Sequence, residues 1–222
     1  MLTLFDTSYS LGVVPNSWKT ALVHPITKKG DGSDPSNYRP IAITSLFYKV
    51  MESIINCLLV RYLEDHQLIS DRQYSFRRGR SAGDLLGYLT HRRAEAVESK
   101  GEELAVTLDI AKAFDRVWHK ALLSKLPSCG LPDKSCNWIA SIPADRSIKV
   151  VVDGACSDYK SINAGIPQGC VISPTLFLLH NNDMFQTSNI HCYADDSTGD
   201  ALYTGRANIS QESIAEYRKK LV

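Results

Sequence analysis

The sequence predicts an α+β fold in which helices pack on one face of an antiparallel sheet. Three observations carry this. Apolar side chains at Leu46, Val50, Ile54, Leu58 and Tyr62 recur at helical spacing. Runs of strand formers, such as Ile148–Val152 and Ile190–Tyr193, alternate with helical stretches. Asp153-Gly154 offers the turn chemistry that joins neighbouring antiparallel strands.

The elements follow in order. The first residues form a short helix ending near Gly12, and Trp18–Ile26 reads as a strand. Thr27–Asn37 is rich in Gly, Asp, Ser and Pro, and a mobile loop is expected there. Arg39–Thr44 is a second strand. Leu46–Glu64 is a helix whose apolar stripe is expected to pack into the core. Ser81 followed by Asp84 is a capping-box start for a helix running to Ser99, closed by Gly101. A strand over 104–110 precedes a helix through Leu122–Leu126, ended by Gly130-Leu131-Pro132. Asn137–Ile142 is a helix piece broken by Pro143. Ile148–Val152 turns into Ser157–Ile162, and Pro174 to about Asp183 is helical. Strands 190–194 and 198–203 form a hairpin, and Asn208–Val222 reads as an amphipathic final helix.

At 222 residues and 44% apolar content, the chain can bury a sizeable core, as one domain or two closely packed subdomains. Its formal net charge of +1 excludes a nucleic-acid binder by bulk charge alone. Local charge says more. Arginines 72, 77, 78, 80, 92 and 93 stand among a single acid, Asp84, and read either as a phosphate-tracking patch or as a solvated helix flank. The six cysteines form no Cys-x-x-Cys pair, which excludes the usual zinc patterns and fits small core residues in a reducing, intracellular setting. His24 and His191 lie in strand-like runs and read as packing residues. No stretch approaches the roughly 20 apolar residues of a membrane span. The first residues lack the pattern of a signal peptide.

Chemistry concentrates on three carboxylates. Asp195 and Asp196 follow Ile190-His191-Cys192-Tyr193-Ala194, and Asp109 ends Leu104-Ala105-Val106-Thr107-Leu108. Both runs read as short buried strands delivering acids at their ends. Paired aspartates in a solvated turn and an N-cap at Asp109 are the plainer readings. Converging carboxylates can instead hold two divalent cations about 3.5–4 Å apart, an arrangement suited to phosphoryl transfer. Mg²⁺ suits oxygen ligands and substrate phosphate.

Four motifs then occur in order. Tyr193-Ala194-Asp195-Asp196 resembles the YxDD box of reverse transcriptases, and Leu108-Asp109-Ile110-Ala111-Lys112-Ala113-Phe114-Asp115 resembles their first palm motif. Gly165-Ile166-Pro167-Gln168-Gly169-Cys170-Val171-Ile172-Ser173-Pro174 is similar to their PQG segment, and Asn37-Tyr38-Arg39-Pro40-Ile41 to a fingers motif of non-LTR, jockey-like retrotransposon polymerases. The resemblance covers about residues 12–205.

It implies a right-hand polymerase palm with fingers. Fingers and first palm helices are expected over 1–100, and the palm over 101–222, with the thumb expected to be absent. It also implies an RNA-directed DNA polymerase that adds dNTPs to a DNA primer on an RNA template. Asp109, Asp195, Asp196 and the Ile110 carbonyl would bind two Mg²⁺ ions, with Mn²⁺ as a substitute. Arg39 and either Lys28 or Lys29 would contact the triphosphate, and Gln168 would face the nucleotide and template. Phe114 would act as a gate against the ribose 2′-hydroxyl, although by itself it reads as a core phenylalanine. Phe76, Arg77, Arg78, Arg80 and Tyr193 would meet template or primer. Asp115 reads as structural, in a pair with Arg116 or as a cap. No membrane partner is implied, and the setting would be cytoplasm or nucleus.

Several positions depart from the family. Ser75 stands where glycine is usual before Phe-Arg, Pro143 breaks a segment usually continuous, Asn181 replaces an apolar residue and Cys170 a serine. A catalytically inactive nucleic-acid-binding remnant is the alternative function. A nuclease is a third reading, against which the PQG segment, Phe114 and Arg39 argue.

Overall fold

The computed structural model describes residues 1–187 and 189–203, so the expected helix over Asn208–Val222 lies outside the described residues. Helix α1 (Leu2–Leu11) stops at Gly12, whose φ of 64° makes a left-handed cap. Strands β1 (Thr20–Thr27) and β2 (Tyr38–Ile43) pair antiparallel. Helix α2 (Leu46–Asp65) precedes α3 (Ala82–Glu98), which opens on the expected Ser81–Asp84 capping box. Then come β3 (Glu102–Asp109), α4 (His119–Lys125), α5 (Asp133–Ser141) and β4 (Ser147–Val152). The order ends with β5 (Ala155–Cys156), β6 (Lys160–Ser161), α6 (Ser173–Asn181), α7 (Met184–Thr187), β7 (Ile190–Tyr193) and β8 (Asp196–Tyr203).

The strands build two sheets rather than one. The first has the order β2-β1-β4-β5, with β6 also on β4, and the second is β3-β8-β7. The first is mixed, because β1 and β4 run parallel from Thr20↔Ser147 to Val23↔Val150. Parallel neighbours need a long crossover. Here more than a hundred residues separate the partners, so local pattern cannot reveal the pairing.

Contacts divide the chain into two compact units, Met1–His66 with Phe114–His180, and Gln67–Ala113 with Asn181 onward. They interleave along the sequence. The first unit is centred on an aromatic chain. Trp18 lies 6.1 Å from Phe5 and 5.9 Å from Tyr48, and Tyr48 lies 6.5 Å from Trp138, between ring centroids. In the second unit, Tyr74, Leu85 and Leu89 pack with Tyr88, and Phe185, Ile190 and Cys192 pack with Met184. His191 is buried and stacks on Tyr88 at 4.2 Å, a packing role as expected.

Two expectations about burial are corrected. On α2 the expected core stripe is the exposed one, with Leu46 74%, Ile54 49% and Leu58 60% accessible. Tyr48, Met51, Glu52, Ile55, Leu59 and Leu63 are buried instead. Two apolar stripes run along this helix, and periodicity cannot say which one meets the core. Strand β3 is not fully buried either. Exposed Ala105, Thr107 and Asp109 alternate with half-buried Leu104, Val106 and Leu108.

Candidate active site

Strand register brings two of the three carboxylates into opposition. Asp109, the last residue of β3, is the direct antiparallel partner of Asp196, the first residue of β8. Directly opposed side chains share one face, with Cβ atoms about 4.5–5.5 Å apart. Tyr193 pairs with Asp196 on the other side, so Tyr193, Asp196 and Asp109 lie in a row across the three strands. Cys192 and Ser197 take the opposite face, where both are buried, with Sγ and Oγ 3.1 Å apart.

Asp195 is in the two-residue turn Ala194–Asp195 that joins β7 to β8. Ala194 has φ of 59° and Asp195 does not have positive φ, the sign pattern of a II′ hairpin turn. Glycine usually fills the first central position of that turn. Alanine there carries a cost of about 1–2 kcal/mol.

The donor set suits a hard cation. Opposed like charges are destabilising across a strand pair, and among the described residues none of the three aspartates is in an ion pair. A divalent cation between them would turn that repulsion into attraction. The three are not drawn into a ready-made cage. Among the described residues no group of three His, Cys, Asp or Glu side chains is placed to hold a metal ion. Asp109 and Asp196 are opposed by register, whereas Asp195 stands apart at the turn. The Ile110 carbonyl accepts the Ala113 N–H at 3.2 Å, which leaves it a second lone pair.

The other expected nucleotide contacts belong to the first unit. The PQG segment is clamped there by its backbone. The Gln168 carbonyl accepts the Ala42 N–H of β2 at 2.7 Å. Gly169 has φ of 106°, and a Cβ on it would meet the Ala42 oxygen at 2.8 Å. Gly165 has φ of 79°, and a Cβ on it would lie 2.7 Å from the Asp115 oxygen, so only glycine fits. The Gln168 amide donates to Asp115 Oδ1 at 3.3 Å, which gives Asp115 a structural partner other than Arg116. Phe114 is half-buried and lies nearly parallel on Phe177, centroids 4.5 Å apart.

Glu52 is a residue that motif reading missed. It is fully buried on α2, and its Oε2 accepts the Val171 N–H at 3.2 Å, two residues beyond Gly169. Burial raises its pKa, against the Val171 hydrogen bond and the nearby Tyr48, Arg146 and Cys170. Cys170 in turn is pushed up to about 11, by burial first and Glu52 second. No local signal marked it, because the sequence did not settle which face of α2 turns inward.

Lys28, Lys29 and Arg39 are exposed around the Gly/Asp/Ser loop. That loop is braced. Asp31 accepts from Ser33 and Asp34 from Ser36, and Tyr38 Oη donates to the Gly32 carbonyl at 2.8 Å.

Most of the arginine run is paired within its own unit. Arg77 has a side chain only 6% exposed and donates to the Ser70 carbonyl at 2.7 Å. Arg80 pairs with Asp71, Arg72 with the Phe185 carbonyl, Arg92 with Glu95 and Arg93 with Glu103. The patch expected to track phosphates is therefore mostly engaged in shaping its own unit. Phe76, Arg78 and Arg93 are exposed, as is Tyr193.

Comparisons with known proteins agree with the motifs. The reverse transcriptase (RNA-dependent DNA polymerase) family matches over residues 26–204. The RNA-directed DNA polymerase from mobile element jockey of Drosophila melanogaster is 34% identical over 82% of this chain and 20% of its own length. The probable RNA-directed DNA polymerase from transposon BS of the same species is 33% identical over 91% of this chain and 23% of its own. The chain thus spans about a fifth of the length of these relatives. Apo telomerase from Candida tropicalis, truncated from its C-terminal domain, superposes with a TM-score of 0.63 at 13% identity, over 99% of this chain and 50% of that one. That likeness is one of fold. On the ordered motifs and the match over residues 26–204, the chain belongs to the reverse transcriptase family.

Proposed function

We propose that this chain carries the nucleotidyl-transfer site of an RNA-directed DNA polymerase of a non-LTR retrotransposon. The observation that supports it is the register of Asp109 opposite Asp196, with Asp195 in the adjoining turn. In the reaction the primer 3′ oxygen bonds to the α-phosphorus of a dNTP and pyrophosphate leaves. Asp109, Asp195, Asp196 and the Ile110 carbonyl are the proposed holders of two Mg²⁺ ions, for which Mn²⁺ can substitute. Bound there, the ions would stabilise charge on the attacking and leaving oxygens. Arg39 and Lys28 or Lys29 are assigned to the triphosphate, Gln168 to the nucleotide and template, and Phe114 to the sugar. Tyr193, Phe76 and Arg78 are assigned to template or primer, whereas Arg77 and Arg80 are reassigned to folding of their own segment.

The partners in this reading are an RNA template, a DNA primer and dNTPs in an intracellular setting, cytoplasm or nucleus. Among the described residues no helix is long and apolar enough to cross a membrane. The alternative, an inactive remnant that only binds nucleic acid, gains little from arginines that are mostly paired within their own unit. Extension of a labelled DNA primer on an RNA template separates the two. The proposed function requires Mg²⁺-dependent addition that is lost in Asp195→Ala. Template binding with no addition would favour the remnant.

A further inference from the structure

The residue before Phe76 departs from the pattern this sequence otherwise follows, and the structure gives that departure a role. Residues 72–75 run alongside β7. Cys192 N–H donates to the Arg72 carbonyl and Tyr74 N–H to the Cys192 carbonyl, both at 2.9 Å, around a parallel bridge between Gln73 and Cys192. The segment ends at Ser75, which is 2% exposed. Its Oγ accepts the N–H of Ala194 at 2.8 Å. The same hydroxyl donates to Gln73 Oε1 at 3.1 Å, and Gln73 is itself buried. The hydroxyl proton is thereby committed to Gln73, which leaves a lone pair facing Ala194.

Ala194 is the residue whose N–H needs such a partner. It holds positive φ in the turn without being glycine. Its peptide orientation fixes where Asp195 emerges and how Asp196 enters register with Asp109. A glycine at 75 would offer no side-chain acceptor, so the serine supports a turn that alanine alone holds poorly.

We infer that Ser75 is a positioning residue that sets the Ala194–Asp195 turn, and through it the aim of the Asp195 and Asp196 carboxylates at a divalent cation. The inference rests on the metal-site reading above. Ser75 touches neither substrate nor metal.

The test uses the 222-residue chain and two readouts that need no turnover: exchange of the Ala194 amide, and Mn²⁺ affinity by electron paramagnetic resonance. Loss of one net hydrogen bond corresponds to about fivefold, so Ser75→Ala should speed Ala194 exchange and weaken Mn²⁺ binding by about that factor. Ser75→Thr keeps the acceptor and should restore both. Leu85→Val loosens the same unit's core beside Tyr74 without removing the Ser75–Ala194 hydrogen bond, and should leave Mn²⁺ affinity unchanged, which separates positioning from general destabilisation. Should Ser75→Ala not fold, Ser75→Ala with Ala194→Gly carries the test, since glycine accepts positive φ. That double variant should fold and recover Mn²⁺ binding close to wild type, and failure to recover it would overturn the role of Ser75. Equal Mn²⁺ affinity in wild type and Ser75→Ala, or equal loss in Leu85→Val, would overturn the role of Ser75 and leave the metal site standing. A wild-type chain that binds no Mn²⁺ would remove both.

Discussion

Two hairpin turns in this chain solve one problem in opposite ways. Between β4 and β5, Asp153 and Gly154 take φ of 49° and 80°, and both residue types tolerate the left-handed region. That turn is exposed and specified by its own two residues. Between β7 and β8, Ala194 takes φ of 59° with no glycine present, and its N–H is held by a buried serine from another segment. The first turn only joins strands. The second carries the acids assigned to chemistry, and local preference yields there to the demand for an aspartate pair in fixed register.

The largest expected contrast between the turns is in rate. Asp195→Ala should lower primer extension by about a thousandfold, the several kcal/mol expected of a metal-holding carboxylate. Asp153→Asn, in the other turn, should leave the rate unchanged. Similar losses in both would mean that the two turns do not differ in role.

Backbone fit comes next. A Cβ at Gly165 meets Asp115 backbone atoms at 2.7–3.0 Å, whereas at Gly154 nothing lies within 4 Å. Gly165→Ala should cost about 2–4 kcal/mol and Gly154→Ala about 1 kcal/mol, read from chemical denaturation. Ala194→Gly should do the reverse, raising stability by about 0.5–1 kcal/mol. A loss at Ala194→Gly would show that the turn is not strained.

The smallest effect is in pH dependence. Burial raises the Glu52 carboxyl's pKa, so the folded chain keeps a proton that the unfolded chain has released. Its contribution to stability is present below the ordinary value of about 4.3 and declines as pH rises through the raised one. Glu52→Gln keeps the shape without the charge. Its Tm relative to wild type should therefore climb between about pH 4 and pH 8. A constant difference would contradict the role of burial.

How far the sequence could be read depended on whether a feature was local. The Ser81 capping box and the Asp153-Gly154 turn are written in adjacent residues, and both are found. The Asp195-Asp196 pair was legible because its spacing from Tyr193 is fixed by one hairpin. The parallel pairing of β1 with β4 joins distant segments and left no local mark. The buried face of α2 could not be chosen, since Met51, Ile55, Leu59 and Leu63 have the same spacing as the exposed stripe. The arginine run looked like a free basic patch because its partners are backbone carbonyls and acids that lie just outside the run. Ser75 was visible only as a departure. Its meaning required the 119-residue contact to Ala194.

Asp109 and Asp196, opposed across β3 and β8, are proposed to hold a divalent cation with Asp195. Mn²⁺ titration of the wild-type chain and of Asp109→Asn, followed by electron paramagnetic resonance, tests it most directly. Specific binding is expected in wild type and its loss in Asp109→Asn, with displacement by excess Mg²⁺. Equal Mn²⁺ binding by the two chains would contradict it.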